Sequence, residues 1–297
     1  MQQSNTYIIV YSAVLTVILG LLLSGSAQIL GPRQQEAIAL DKKKQILGAV
    51  ISAEEIAAMT PEEVNQFYAS RISSTVVDIS GKEVSEGGIT AEKVEIAKDY
   101  KKPADQRMYP IFIYHAEGDP QNVESYIFPL YGAGLWDAIW GYLALETDMN
   151  TIGGITLAHA SETPGLGARI TEGEVQARYV GKKIFDEAGA LIAVQMQKGE
   201  GKDYSSDPHK VDGMSGATIT GNGVNNMLKA ITASLLMEQV LAPNFKFKLK
   251  KDEDDLDDDG YEDNDEPTIK IRGFKLPSSQ RAKDIIETDL NDLKLKY

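Results

Sequence analysis

Asp212-Gly213-Met214-Ser215-Gly216-Ala217-Thr218 ends a run of small residues on a threonine hydroxyl. Such a hydroxyl is a nucleophile once it is activated. Small residues let the backbone approach a bulky ligand closely. Val224, Met227, Leu228, Ile231 and Leu235 follow at helical spacing, just after a Thr/Gly/Asn cluster where caps belong. A helix amino end near Thr218 would offer unpaired amides that favour a phosphate. The plainer reading of these few residues is a Ser/Gly turn before a helix.

Two other segments carry candidate chemistry. In His159-Ala160-Ser161-Glu162-Thr163-Pro164-Gly165-Leu166-Gly167, Pro164 and Gly165 mark a tight loop and Gly167 adds freedom. Thr163 and the loop amides suit hydrogen bonds to a flat polar ring, and Leu166 suits packing on its face. A turn with a capping Glu explains the same residues. Gly132-Ala133-Gly134-Leu135-Trp136 suits a stacking wall, although a single Trp is more often a core residue at a strand start.

Composition excludes several classes. The chain has 297 residues and no cysteine, so Cys-ligated iron–sulfur clusters, disulfides and thiol catalysis are ruled out. His115, His159 and His209 are too scattered to argue for a metal site. The net charge of -14 speaks against nucleic acid, which needs a basic surface. Asp252 to Glu266 holds 11 acids and no Lys or Arg, which leaves the rest only mildly acidic, at about -3.

The elements that must position these residues follow from periodicity. Thr60-Pro61-Glu62-Glu63 reads as a cap with Pro at the first helical position, and Val64, Phe67 and Tyr68 form an apolar helix face. Val76 to Ile79 reads as a strand and Ser80-Gly81 as a turn. Tyr109 to His115 alternates as a strand, and Gln121-Asn122 reads as a turn before Ser125 to Leu130. Trp140 to Leu145 and Ile152 to Leu157 read as a hairpin through Asp148-Met149-Asn150. Tyr179 to Phe185, then Leu191 to Met196 after a Glu187-Ala188-Gly189 turn, suggest more sheet. The expected fold class is α+β: one N-terminal transmembrane helix, then a soluble domain with a largely antiparallel sheet and flanking helices.

Tyr7 to Leu23 is almost wholly apolar, and the run continues uncharged to Ile29-Leu30. About 20 such residues span a bilayer. Gly25-Ser26-Ala27 resembles a signal cleavage site, but the run is long for a signal peptide and no Lys or Arg precedes it. A retained anchor is expected over 1–31, and Gln34 to Ala49 reads as a helix leaving the membrane. Arg33 and Lys42 to Lys44 follow the span, which alone would place the main domain in the cytoplasm.

Together the three motifs resemble the FMN-binding domain family of respiratory flavoproteins, in which an Asp precedes Ser-Gly-Ala-Thr and the Thr takes FMN through its phosphate. Within it, the chain is most similar to the C-subunit family of sodium-translocating NADH:quinone reductases. The likeness rests on Gly134-Leu135-Trp136, Glu162 to Gly167, Val180 to Glu187, and Val211-Asp212-Gly213 leading into Ser215-Gly216-Ala217-Thr218. It implies covalent FMN on Thr218 and a cofactor site drawn from Asp212, Ser215, Gly216, Ala217, Gly134, Leu135, Trp136, Glu162, Thr163, Leu166 and Gly167. Asp212 is expected to help activate the hydroxyl, and Glu162 and Thr163 to hydrogen-bond the flavin.

The resemblance also implies an electron carrier without catalysis of its own, within a six-subunit reductase of the bacterial inner membrane. A flavin transferase would load it from FAD. The domain, 32–248, would face the periplasm, against the Lys/Arg reading, since large domains translocate largely regardless of charge. The G subunit of the Rnf complex shares the motif, and a non-redox envelope binding module on this scaffold is the rival from another class.

The acidic extension, 249–297, goes beyond the family pattern. Asp255, Asp257, Asp259, the Tyr261 backbone and Glu266 fit a calcium loop, and a calcium-responsive adaptor is a third reading. Glu262 stands where an apolar residue is usual, and Pro267 blocks a following helix. A solvated acidic linker is the simpler expectation. Lys283 to Leu295, with Ile285, Ile286, Leu290 and Leu293, reads as a short amphipathic helix.

Overall fold

The computed structural model describes residues 4–241 apart from residues 80, 85–87, 104–105 and 188–191; of 231–241 it describes only the helical backbone. The proposed calcium residues, the Lys283 to Leu295 helix, the Glu187-Ala188-Gly189 turn and Leu191 lie outside the described residues or straddle their edge.

One helix, α1 (Asn5–Leu47), carries both the apolar run and the segment expected to leave the membrane. Ser4 caps it and Pro32 lies inside it. Its apolar residues from Tyr7 to Leu30 are exposed, and burial begins only at Ile46 and Leu47. The span is long and apolar enough to cross a membrane. Two short helices follow, α2 (Ala53–Ala58) and α3 (Pro61–Arg71), each opened by a reciprocal capping box, Ser52 with Glu55 and Thr60 with Glu63. Pro61 sits at the first helical position as expected, with Val64 and Tyr68 buried.

The sheet is an antiparallel meander of five strands: β1 (Ile72–Val77), β2 (Tyr109–Ala116), β3 (Asp119–Ala133), β4 (Ala138–Glu146) and β5 (Ile152–His159), in that order. A one-turn helix, α4 (Ile96–Asp99), lies between β1 and β2. Alternate residues face opposite cores. On one face Ile127, Tyr142, Ala144 and Phe112 meet α1 to α3. On the other Phe128, Leu130, Ile139, Leu143, Ile155 and Leu157 meet the later chain. That later chain comprises α5 (Gly173–Ala177), the two-residue parallel pair β6 (Gln195–Met196) and β7 (Lys210–Val211), and the long α6 (Thr218–Leu241). The α+β expectation with a largely antiparallel sheet therefore holds.

Several local expectations change. Gln121-Asn122 lies inside β3; the reversal is made earlier at Glu117-Gly118, where Gly118 has φ 72. The strand expected from Val76 begins at Ile72 and ends at Val77. The Asp148 hairpin holds, with Asp148 accepting from the amides of Asn150 and Thr151 and Met149 at φ 54. Tyr179 to Phe185 is not a strand. Gly181 turns the chain at φ 76, and Tyr179 and Ile184 enter the core singly while Lys183 makes one bridge to Thr151. The Thr/Gly/Asn cluster lies within α6 rather than before it. Gly221 there packs on Met196 and Gly223 on the Ala133 carbonyl, so glycines that read as a cap are contacts of the helix with the sheet.

Candidate functional site

Three segments converge at the end of the sheet where β3 turns into β4 and β5 finishes. The turn Gly134–Asp137 is closed by the Gly134 amide donating to the Asp137 carbonyl at 2.8 Å. It leaves Leu135 and Trp136 exposed, Trp136 at 69%. The commoner role of a core Trp does not apply here. Beside this turn runs the loop after β5. Trp136 Nε1 donates to Thr163 Oγ1 at 3.0 Å, so turn and loop form one wall.

Glu162 is the buried centre of the arrangement. Its Oε1 accepts from the Leu135 and Trp136 amides at 2.8 and 3.0 Å, and its Oε2 from Thr220 Oγ1 at 2.5 Å. Its own amide donates to His159 Nδ1 at 3.1 Å. Burial alone would raise the carboxyl's pKa; the hydrogen bonds from Thr220, Trp136 and Leu135 outweigh that and hold it below the usual carboxylate value. Gly134 and Gly167 are needed at this point. A Cβ on either would strike the Glu162 carboxylate. Glu162 thus spends its acceptors on the protein itself, tying the wall to α6.

Thr218 is the first residue of α6 and is exposed. The preceding turn sets it there. Gly216 takes φ 75, and the space where its Cβ would stand is filled by Leu166 Cδ2 at 2.8 Å. Ala217 and Met214 are buried beneath. Leu166 and Ile219 are exposed, at 41% and 57%, so the hydroxyl is bordered by apolar surface.

An ion-pair network holds the turn from outside. Arg169 grips Glu200 with both terminal nitrogens at 2.8 and 2.9 Å, and Glu200 Oε2 accepts from the Ser215 amide at 3.1 Å. Arg169 and the Ser215 amide together hold the Glu200 carboxyl down at about 2. Arg178 donates to the Asp212 and Gly213 carbonyls at 3.2 and 2.6 Å.

Asp212 differs from its expected role. Its carboxylate accepts from the Gly201 and Lys202 amides at 2.7 and 3.2 Å, fastening the neighbouring turn. No contact with Thr218 is found among the described residues.

Thr220, Arg169, Arg178, Glu200 and Ile219 were not legible as site residues. Their partners lie 15 to 58 positions away, as for Ser215 with Glu200 and Thr220 with Glu162. Ile219 carried one weak signal, an apolar residue wedged between two threonines. Among the described residues no group of His, Asp and Glu could hold a metal ion.

Such a site suits a flat, partly apolar ligand carrying an anionic arm. The wall offers an indole and aliphatic faces, and the first turn of α6 offers amides next to a free hydroxyl. Comparisons agree with that chemistry. The model of the FMN-binding domain family matches residues 134–233. The Na(+)-translocating NADH-quinone reductase C subunit of Yersinia pestis is 34% identical over 225 residues, covering 72% of this chain and 83% of its own. The protein of the same name from Pseudomonas aeruginosa is 32% identical, covering 76% and 91%. Among solved structures, the Na(+)-translocating NADH-quinone reductase C subunit of Parabacteroides distasonis matches with a TM-score of 0.59 at 31% identity, over 70% of this chain and 96% of that one. Shewanella oneidensis NqrC matches with a TM-score of 0.54 at 26% identity, over 69% and 93%.

Proposed function

Because the chain belongs to the C-subunit family of the Na(+)-translocating NADH-quinone reductase, we propose that it is the FMN-bearing electron-transfer subunit of such a reductase. The observation that carries this reading is the exposed Thr218 hydroxyl at the first residue of α6, bordered by Leu166, Ile219 and the Trp136 wall. When bound, FMN supplies the acceptance and donation of electrons, and the protein supplies position and electrostatics.

Thr218 is the residue we assign to covalent attachment. Its oxygen would displace AMP from FAD, forming the Thr218–phosphate bond as the bond to AMP breaks and the hydroxyl proton is lost. A flavin transferase catalyses that step. Gly216 and Ala217 shape the turn, and the first amides of α6 favour the phosphate. Leu135, Trp136 and Leu166 offer apolar faces for the ring, while Glu162, Thr163 and Gly167 hold those faces in place. Asp212 and Ser215 keep the attachment turn in register.

The remaining parts of the reading rest on family and sequence. The chain is one subunit of a larger membrane assembly, with six subunits expected. It is held in the bacterial inner membrane by α1, with 32–248 in the periplasm and 249–297 as an appended acidic segment.

The test is the intact mass of the full chain co-expressed with its transferase, beside Thr218→Ala. One FMN is expected on the parent chain and none on the variant. An active transferase that leaves the parent unmodified would end the flavoprotein reading and leave a colourless binding module.

A further inference from the structure

Helix α1 meets the sheet at successive points along its length. The Ala49 carbonyl, just past its end, lies so close to Gly154 that a Cβ there would collide with it. One turn earlier the Gln45 carbonyl accepts from Thr156 Oγ1 at 2.9 Å, and its side-chain oxygen accepts from Trp140 Nε1 at 3.1 Å. Gly154, Thr156 and then Ala158, the partner of Trp140, follow one another along β5 towards the Glu162 loop. Traced back from Ala49 towards its amino end, α1 therefore runs the way β5 runs, past the site and into the apolar span.

The heights follow from element geometry. Four strand residues from Thr156 to Ala160 rise about 13 Å. The same rise takes about nine residues of helix, which reaches the level of Glu36. Leu30, where the apolar run ends, is roughly 9 Å further. The headgroup zone on one side of a bilayer is itself roughly 6 Å thick. The exposed Leu135, Trp136, Leu166 and Ile219 thus stand on the end of the domain turned to the membrane, close above it.

We propose that this rim docks on the water-facing surface of a membrane-embedded protein subunit of the same assembly, and that α1 is a rigid strut setting both its height and its direction. The proposal rests on the electron-transfer reading above. Two observations favour a protein surface over lipid. First, α1 is fixed in rotation. Gly48 abuts Thr156 at 2.8 Å, and Lys42 and Lys43 reach the Glu92 carbonyl and Asn65 Oδ1 at 2.6 and 2.7 Å. A lipid surface is the same in every direction around the helix, so it makes no use of such a clamp. Second, the rim segments 134–137, 160–167 and 215–220 contain no Lys or Arg. Anionic headgroups attract basic residues. Pro32 leaves the helix continuous and sets a fixed bend below the clamp.

Alanine insertions after Glu36, within the exposed residues 32–39, separate direction from height. Two alanines rotate the domain by about 200° and lift it about 3 Å; four rotate it by a net ~40° and lift it about 6 Å. In the membrane complex, NADH-driven quinone reduction is expected to fall on the order of tenfold further with two than with four. FMN loading should be equal in both. A larger loss with four would mean that height alone matters, as over lipid, and would overturn the proposal, as would no loss with either.

A second measurement covers insertions that fail to assemble. The chain has no cysteine, so Asp137→Cys and Glu117→Cys give single thiols on opposite ends of the sheet. In the full complex a bulky water-soluble maleimide should label Glu117→Cys quickly and Asp137→Cys slowly; equal rates would overturn the proposal. This contrast needs no FMN, so failure of the flavin reading and failure of the docking reading are told apart.

Discussion

Glu162 shows what one buried carboxylate does when every acceptor is used. Glu162→Gln would put an amide donor against the Leu135 and Trp136 N–H groups or the Thr220 hydroxyl, leaving a buried donor unmet. The expected cost is about 2 kcal/mol in denaturant unfolding, with reduced FMN loading. Its pH dependence has a definite sign. The folded carboxyl lies below its ordinary value of 4.5, so the stabilisation is present above that pH and disappears as pH falls through the lower, folded value. An acid titration of stability in which the parent and Glu162→Gln converge below that point checks this. At this scale the sequence was half legible. The motif singled out Glu162, Thr163 and Trp136 as neighbours of a site. Their hydrogen bonds to one another were not legible, because a carboxylate that contacts a flavin and one that braces its wall are written with the same letter. Asp212 makes the same point, since its contacts lie in the turn at Gly201 and Lys202.

Among the elements, those with strong local signals are legible: α3 from its Thr-Pro-Glu-Glu start, the β4–β5 hairpin from its Asp148 turn, and β2 from alternation. Pattern and structure part where tertiary contact overrides local preference. Tyr179 and Ile184 are apolar because they fill the core one at a time, not because they alternate along a strand. Gly221 and Gly223 allow α6 to press against Met196 and the Ala133 carbonyl. The turn that delivers Thr218 has its own test. Gly216→Ala forces an L-residue to φ 75 and moves Leu166, which should cost about 1–2 kcal/mol. FMN loading should fall while the far-ultraviolet spectrum stays native. A fully loaded Gly216→Ala chain of parental stability would show that the turn geometry is not required.

For the whole molecule, the three-layer arrangement gives each face of the sheet a separate task. The α1–α3 face fixes the domain to its anchor, and the α6 face carries the site. The family match ends at residue 233, ahead of the acidic stretch. A chain ending at residue 248 is accordingly expected to keep its thermal midpoint and its FMN loading, and calcium should change neither. A calcium-dependent rise in the midpoint of the full chain, absent after truncation, would restore the calcium-loop reading. The order of secondary structure made the fold class legible. The direction of α1 along β5 was not, because Gln45 meets its partners Trp140 and Thr156 across separations of 95 and 111 positions.

The Glu162 bracket has a further consequence for biosynthesis. It joins segments 27 and 58 residues apart in the chain, so the wall and the start of α6 come together only when the sheet is complete. An unfinished chain presents Thr218 on a loose turn with no wall beside it. Under the proposed chemistry, attachment to that threonine is a permanent mark set after the last long-range contacts close. Cofactor loading then acts as proofreading: a flavin on the chain certifies that folding was finished first.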